Sequence, residues 1–237
     1  YKGWQSQPNA PSVQEELQKA LSIYLKEDIQ VVGAGRTDTG VHALYYVAHF
    51  DCRDEIGASE NFVYHLNALL PKDIAVKSVY QVKNDAHARF DAMQREYSYY
   101  IHYDKNPFLQ EVSWYYHHAS LDVELMNKAA EHLLEHADFT SFAKLNSANK
   151  TNICHVSYAR WEQTKDGLLF VIRADRFLRN MVRAITGTLV DVGRGKITPD
   201  DFRRLILARD LSLCRTSAPA QGLFLSGVKY DSDKVKR

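Results

Sequence analysis

Between two apolar runs the sequence sets a short loop, Gly33-Ala-Gly-Arg-Thr-Asp-Thr-Gly40, carrying one cation, Arg36, and one carboxylate, Asp38. A carboxylate held on a turn between strands can attack an electrophilic carbon or take up a proton. The same residue in the same setting also forms Asx-turns that only accept backbone N–H groups, so chemistry and scaffolding both stay open for Asp38. The glycines invite a nucleotide reading that their spacing refuses. The third falls at Gly40, off the G-x-G-x-x-G interval, and the residues after it alternate like a strand instead of opening a helix for a pyrophosphate. No Gly-Lys-Ser/Thr follows, which removes the Walker-type phosphate loop.

A second group is cationic. Leu178, Val182, Ile185 and Leu189 form an apolar stripe that predicts a long helix over Phe177–Val192, and Arg176, Arg179 and Arg183 recur at +3 and +4, so they are expected on one helix face. No acid lies within a turn of Arg183 on that face. The stripe therefore looks for anions elsewhere, either phosphates or a carboxylate such as Asp38; solvated arginines are the plain alternative. Tyr97 sits on an alternating stretch, Arg95–Tyr103, with Tyr99, Ile101 and Tyr103 on its face. It reads as a half-buried sheet residue or, beside a basic surface, as a ring that stacks on a base. His132-Leu-Leu-Glu-His136 matches the inverted zinc-peptidase pattern, but supplies only two ligands and a base where zinc needs a third protein ligand. No metal is expected. The sequon Asn149-Lys-Thr151 carries no weight without a secretion signal.

These residues need a frame. Ser12 and Glu15 have capping-box spacing ahead of Val13, Leu17, Leu21 and Leu25, which predicts the first helix. Strands are expected at Gln30–Gly33 and Leu44–Phe50, a helix over Asn61–Leu70 ended by Pro71, and a strand at Ile74–Val82. After a connector at Asp85–Asp91 come the Arg95–Tyr103 strand and a helix from Asp122 to Glu135. A hairpin follows, Ile153–Glu162 with Leu168–Ala174 about Asp166-Gly167. Thr198-Pro199 opens another helix, and Gly222–Tyr230 is the last strand. Hairpins without regular strand–helix alternation give an α+β fold with antiparallel sheets. The weakest junction, near Asn84, divides it into residues 1–84 with the Asp38 loop and residues 85–237 with Tyr97 and the arginines.

The 237 residues suit one or two domains, and 45% apolar with 25% charged residues excludes disorder, collagen and coiled coil. No apolar run nears the roughly 18 residues of a membrane span. Tyr1-Lys-Gly-Trp-Gln5 has no basic-then-apolar signal. Cys52, Cys154 and Cys214 are too scattered for a disulfide framework, so a reducing, cytoplasmic setting is expected. Charge is uneven: residues 1–100 hold 10 Lys/Arg against 13 Asp/Glu, whereas Arg173–Arg209 holds nine against four aspartates. A local basic stretch of this kind is what a phosphate-binding surface needs.

Taken in order, these stretches resemble the tRNA pseudouridine synthase A family over nearly the whole chain. The motifs are Tyr1-Lys-Gly-Trp-Gln5, Gly35-Arg-Thr-Asp-Thr-Gly-Val-His-Ala43, Leu66-Asn67 with Leu70-Pro71, His87-Ala-Arg-Phe90 and Arg95-Glu-Tyr-Ser-Tyr99. They continue with Asp138-Phe-Thr-Ser-Phe142, Phe177-Leu-Arg-Asn-Met-Val-Arg183, Ala218-Pro-Ala220 and Gly222-Leu223. The resemblance implies a pseudouridine synthase fold, with two α/β subdomains of antiparallel sheets backed by helices around a central basic cleft. It implies a cytoplasmic homodimer that binds tRNA and isomerises uridine to pseudouridine in the anticodon stem-loop without cofactor or metal. Asp38 corresponds to the family's nucleophile, Tyr97 to its active-site tyrosine and Arg183 to the arginine that pairs with the aspartate. Arg36 corresponds to an arginine that splays the target base, and Leu223 to an apolar residue lining the pocket. With Arg183 so assigned, the outer residues Arg176 and Arg179 are expected to touch phosphates. Similar proteins also carry a short strand ahead of the Gly-Trp-Gln element, which this sequence does not include. An RNA-binding module without catalysis is the rival class; it has no need for Arg36, Asp38, Tyr97 and Arg183 together.

Overall fold

Ser12 starts the first helix as its spacing implies: its hydroxyl accepts from Glu15 N at 3.3 Å, and α1 runs Val13–Leu25 until Lys26 turns left-handed. The computed structural model describes residues 1–56, 59–118, 120–144, 150–214, 216–231 and 233. Asn149 of the sequon lies outside them. The chain forms two units, each discontinuous in sequence: Tyr1–Gly40 with Tyr46–Ala92 and Lys229–Arg237, and Val41–Tyr45 with Met93–Val228.

In the first unit, α1 and α2 (Ser59–Leu69) bury Leu21, Phe62 and Leu66 with Trp4 and Val31. The strand expected over Leu44–Phe50 is shorter than that span, and a separate two-residue strand precedes it. After β1 (Val31–Gly33), residues His42–Ala43 form β2 in the second unit, and only Ala48–Phe50 forms β3, antiparallel to β1. The other edge of β1 is closed by side chains of α1: Gln14 Nε2 donates to Val31 O (2.7 Å) and Val31 N donates to Gln18 Oε1 (3.1 Å). Ile74–Val82, expected as a strand, forms no ladder strand. The carboxamide of Asn67 takes the neighbour's place, donating to Val76 O at 2.8 Å and accepting from Val76 N at 2.7 Å.

In the second unit, the sheet order is β2–β8–β4–β7–β6 with β5 also on β4. These are β4 (Gln94–His102), β5 (Trp114–Tyr115), β6 (Val156–Gln163), β7 (Gly167–Ala174) and β8 (Leu223–Lys229). The β4–β7 and β6–β7 pairs are antiparallel, while the short β2–β8 and β4–β5 pairs are parallel. The fold is thus mixed α+β, as expected. Helices α3 (Val123–Glu135), α4 (Met181–Gly193) and α5 (Pro199–Ala208) complete the unit. Tyr99 and Ile101 of β4, Trp161, Phe170, Met126 and Ile185 are buried in one core. Asn127 of α3 hooks the sheet: its Oδ1 accepts from Trp161 N at 2.8 Å and its Nδ2 donates to Trp161 O at 3.1 Å.

The helix expected from Phe177 begins only at Met181. Asn180 is left-handed (φ 65°), Met181 N donates to Leu178 O, and the Asp175 carboxylate takes Arg176 N at 2.7 Å. Residues 175–180 are therefore a capped turn. Arg176 and Arg179 precede α4 and do not share a helix face with Arg183, which corrects the periodicity argument. The inverted zinc pattern is broken similarly: α3 stops at Glu135, His136 has extended backbone, and His132 Nδ1 lies 3.0 Å from Glu135 Oε2. Among the described residues no group of three or more His, Cys, Asp or Glu is gathered for a metal, and no helix is long and apolar enough to cross a membrane.

Candidate functional site

The loop that bears Arg36 and Asp38 leaves β1 and is held at several points. Trp4 and Tyr46 stack at 4.2 Å between centroids, and the Tyr46 hydroxyl donates to Gly35 O at 2.5 Å. Ala34 N donates to Val47 O at 2.8 Å. Gly3, at φ +93°, lets the N-terminal segment pass directly beneath the loop. A Cβ there would stand 2.3 Å from Thr37 O and 3.3 Å from the carbonyl carbon of Asp38. Arg36 is exposed and Asp38 half-buried. A carboxylate on a backbone fixed this way has its position set by the fold, as a nucleophile requires. Four residues after Asp38 the chain enters β2 and pairs His42 with Phe224 on β8, the strand that Leu223 opens.

In the second unit, Arg183 is the third residue of α4 and half-buried. Its Nε donates to Ala218 O at 2.7 Å, while its own carbonyl accepts from Ala218 N at 2.9 Å. Gly187, one turn on, permits this close approach, because a Cβ there would lie 2.9 Å from Thr216 O. The buried hydroxyl of Tyr99 donates to Pro219 O at 2.8 Å. Burial pushes that hydroxyl's pKa far up, and the positive charge of Arg183 pulls it partly back. Tyr97 shares the face of β4 with Tyr99 and is half-buried, its ring edge-on to Phe177 at 5.2 Å. Leu223 is buried at the start of β8. Tyr97, Arg183 and Leu223 thus lie in one unit, with Arg176 and Arg179 on the turn before α4; Arg36 and Asp38 lie together in the other.

The turn itself hangs on Asp175. Its carboxylate accepts from His155 N at 2.8 Å and Arg176 N at 2.7 Å and lies 2.9 Å from His155 Nδ1, while its carbonyl accepts from Arg95 at 2.9 Å. Burial alone would raise this carboxyl's pKa; the hydrogen bonds from His155 and Arg176 outweigh it and hold the pKa below the usual value. Sequence reasoning gave no role to Asp175, Ala218, Trp4 or Tyr46. Ala218 and Trp4 lie inside motifs that carry the resemblance, which was the available signal.

The sequence profile of the family described as tRNA pseudouridine synthase matches residues 1–91 and 129–231. A protein of Bacteroides thetaiotaomicron named tRNA pseudouridine synthase A is 54% identical over 236 residues, covering 98% of this chain and 87% of that protein. A protein of Bacillus subtilis with the same name is 42% identical over 235 residues, covering 98% of this chain and 95% of its own length. With a profile match over most of its length and relatives this similar over nearly the whole of it, the chain belongs to the tRNA pseudouridine synthase family.

Proposed function

We propose that this chain isomerises uridine to pseudouridine in the anticodon stem-loop of tRNA, with Asp38 as the nucleophile. The observation that carries the reading is the fixation of the Arg36–Asp38 loop by the Trp4–Tyr46 stack and by the segment passing at Gly3. It holds in a chain of this family. The reaction breaks the bond from N1 of uracil to C1′, turns the base, and joins C5 to C1′. The proton on C5 leaves and N1 gains one, so substrate and product are isomers. A carboxylate serves by adding at C6 or C1′ or by assisting a glycal. Tyr97 is proposed to move the C5 proton and Arg183 to supply fixed positive charge to the reacting groups. A stacked uridine is out of reach, so the base is flipped out at a few kcal/mol, and Arg36 fills the role of splaying it. Leu223 lines the apolar side of the base pocket, and Arg176 and Arg179 bind phosphates. The protein is proposed to act as a cytoplasmic homodimer with no cofactor or metal.

Tritium release from C5-labelled uridine in tRNA tests the reading. Asp38→Asn keeps the shape of the side chain and loses the nucleophile. Release is expected to vanish while tRNA affinity stays within severalfold; near-wild-type release from the variant would remove Asp38 from the mechanism.

A further inference from the structure

The five residues His87–Asp91 of the first unit have every main-chain donor engaged. His87 N donates to Asp91 Oδ2 (2.7 Å), Ala88 N to His49 Nδ1 (3.0 Å), and Asp91 N to His87 O (3.0 Å). Arg89 N and Phe90 N both donate to His87 Nδ1, at 3.1 and 3.2 Å. The Tyr230 hydroxyl donates to Ala88 O at 2.6 Å. A loop bonded this completely is stiff, and what it holds out is a large apolar ring: Phe90 is 76% exposed. The ring lies against the His87 imidazole (4.2 Å between centroids, 30° between planes), and His87 meets His49 edge-on at 4.8 Å. The exposed Arg89 sets its guanidinium 5.9 Å from the Phe90 centroid.

We propose that Phe90 is a stacking platform for an unpaired base of the substrate RNA, with Arg89 holding a phosphate beside that base. The inference rests on the RNA substrate proposed above. Unstacked bases of RNA loops settle on aromatic faces, and arginine adds charge beside them. A ring already fixed by His87 loses little freedom when a base lands on it. Stacking is tolerant of base identity, so the platform recognises an open loop as such and leaves the choice of uridine to the reaction site. A single ring flanked by a cation matches a nucleotide better than it matches the broad apolar patch that a protein partner buries.

The test measures binding of an anticodon stem-loop RNA. Phe90→Ala is expected to weaken it about 5- to 100-fold, and Phe90→Trp to restore it. Arg89→Ala is expected to flatten the dependence of log affinity on log salt by about 0.7. Single abasic substitutions are then walked along the loop. One position should cancel the difference between wild type and Phe90→Ala, which identifies the stacked base. The proposal is overturned if Phe90→Ala binds every RNA like wild type, including a variant that instead loses self-association. It is also overturned if the loss is equal on all abasic RNAs and Trp fails to rescue. Tritium release by the wild-type protein is run alongside. Its absence would count against the isomerase reading alone, since the binding arms do not depend on turnover.

Discussion

At the scale of single residues, Tyr97 is the sharpest case, because its ring and the hydroxyl proposed to move a proton can be tested separately. The ring is fixed edge-on by Phe177 and sits half-buried on β4, two residues before a tyrosine whose hydroxyl is committed to Pro219. Tyr97→Phe leaves that packing intact and removes only the hydroxyl. If the hydroxyl moves the C5 proton, single-turnover tritium release is expected to fall about 10²–10⁴-fold while RNA affinity holds. A variant that turns over at nearly full rate would leave Tyr97 as a stacking residue only. Arg183 shows a different kind of fixation. Its Nε and its carbonyl are both taken by Ala218, so the head group points where the backbone dictates. The arginine was visible in the sequence; its anchor 35 positions away was not, because no local pattern encodes a contact made across the fold. The Asp38 loop repeats the point, since the motif is contiguous while its restraints come from Trp4, Tyr46 and the segment at Gly3.

At the scale of elements, local chemistry was most legible. Ser12, Asp122 and Thr198 start their helices by accepting from the backbone three residues on, and Thr198 with Asp201 completes a capping box. The β6–β7 hairpin turns where Asp166-Gly167 says it should, with Gly167 N bonded to Thr164 Oγ1. The misreadings have physical causes. Phe177–Asn180 imitates helical spacing because the turn buries Leu178 as a helix would, yet Asp175 caps the segment first and Asn180 adopts the left-handed region. Separating Arg176 and Arg179 from α4 sharpens a prediction about them. As turn residues they are expected to be phosphate contacts, each alanine variant flattening the salt dependence of tRNA binding by about 0.7–0.9. Arg183→Ala is expected to lower turnover instead; a change confined to affinity and salt slope would make it one more phosphate contact. The turn should also respond to pH through Asp175. Its folded pKa is depressed, so its contribution to stability is present above the unfolded value near 3.9 and is lost as pH falls through the folded value. Urea midpoints of wild type and Asp175→Ala are expected to differ near pH 6 and to converge as pH drops from about 5 toward 3. A gap that stays constant would show that packing, not the carboxylate's charge, secures the turn.

At the scale of the whole molecule, each unit borrows from the other's stretch of sequence: Val41–Tyr45 belongs with residues from 93 onward, and Lys229–Arg237 with the first 92. Residues 93–228 produced alone lack β2, and β8 is left with an unpaired edge over Phe224 and Leu225. Such a fragment is expected to self-associate in sedimentation, and adding a peptide of residues 36–46 should reduce that tendency; a well-behaved monomer would show that β2 is dispensable to the sheet. The pairing of His42 with Phe224 has a further consequence in time. On the ribosome, β2 emerges before β3 to β7 and α2 to α5, and all of these are made before its partner strand β8. The parallel β2–β8 ladder is among the most non-local in the fold and so closes late. Until Phe224 and Leu225 have been made, His42 and Ala43 are therefore without their ladder partners. The restraints on the Asp38 loop, from Gly3, Trp4, Tyr46 and Val47, are all made early in synthesis, whereas the sheet of the second unit gains its β2 edge only once β8 has been made.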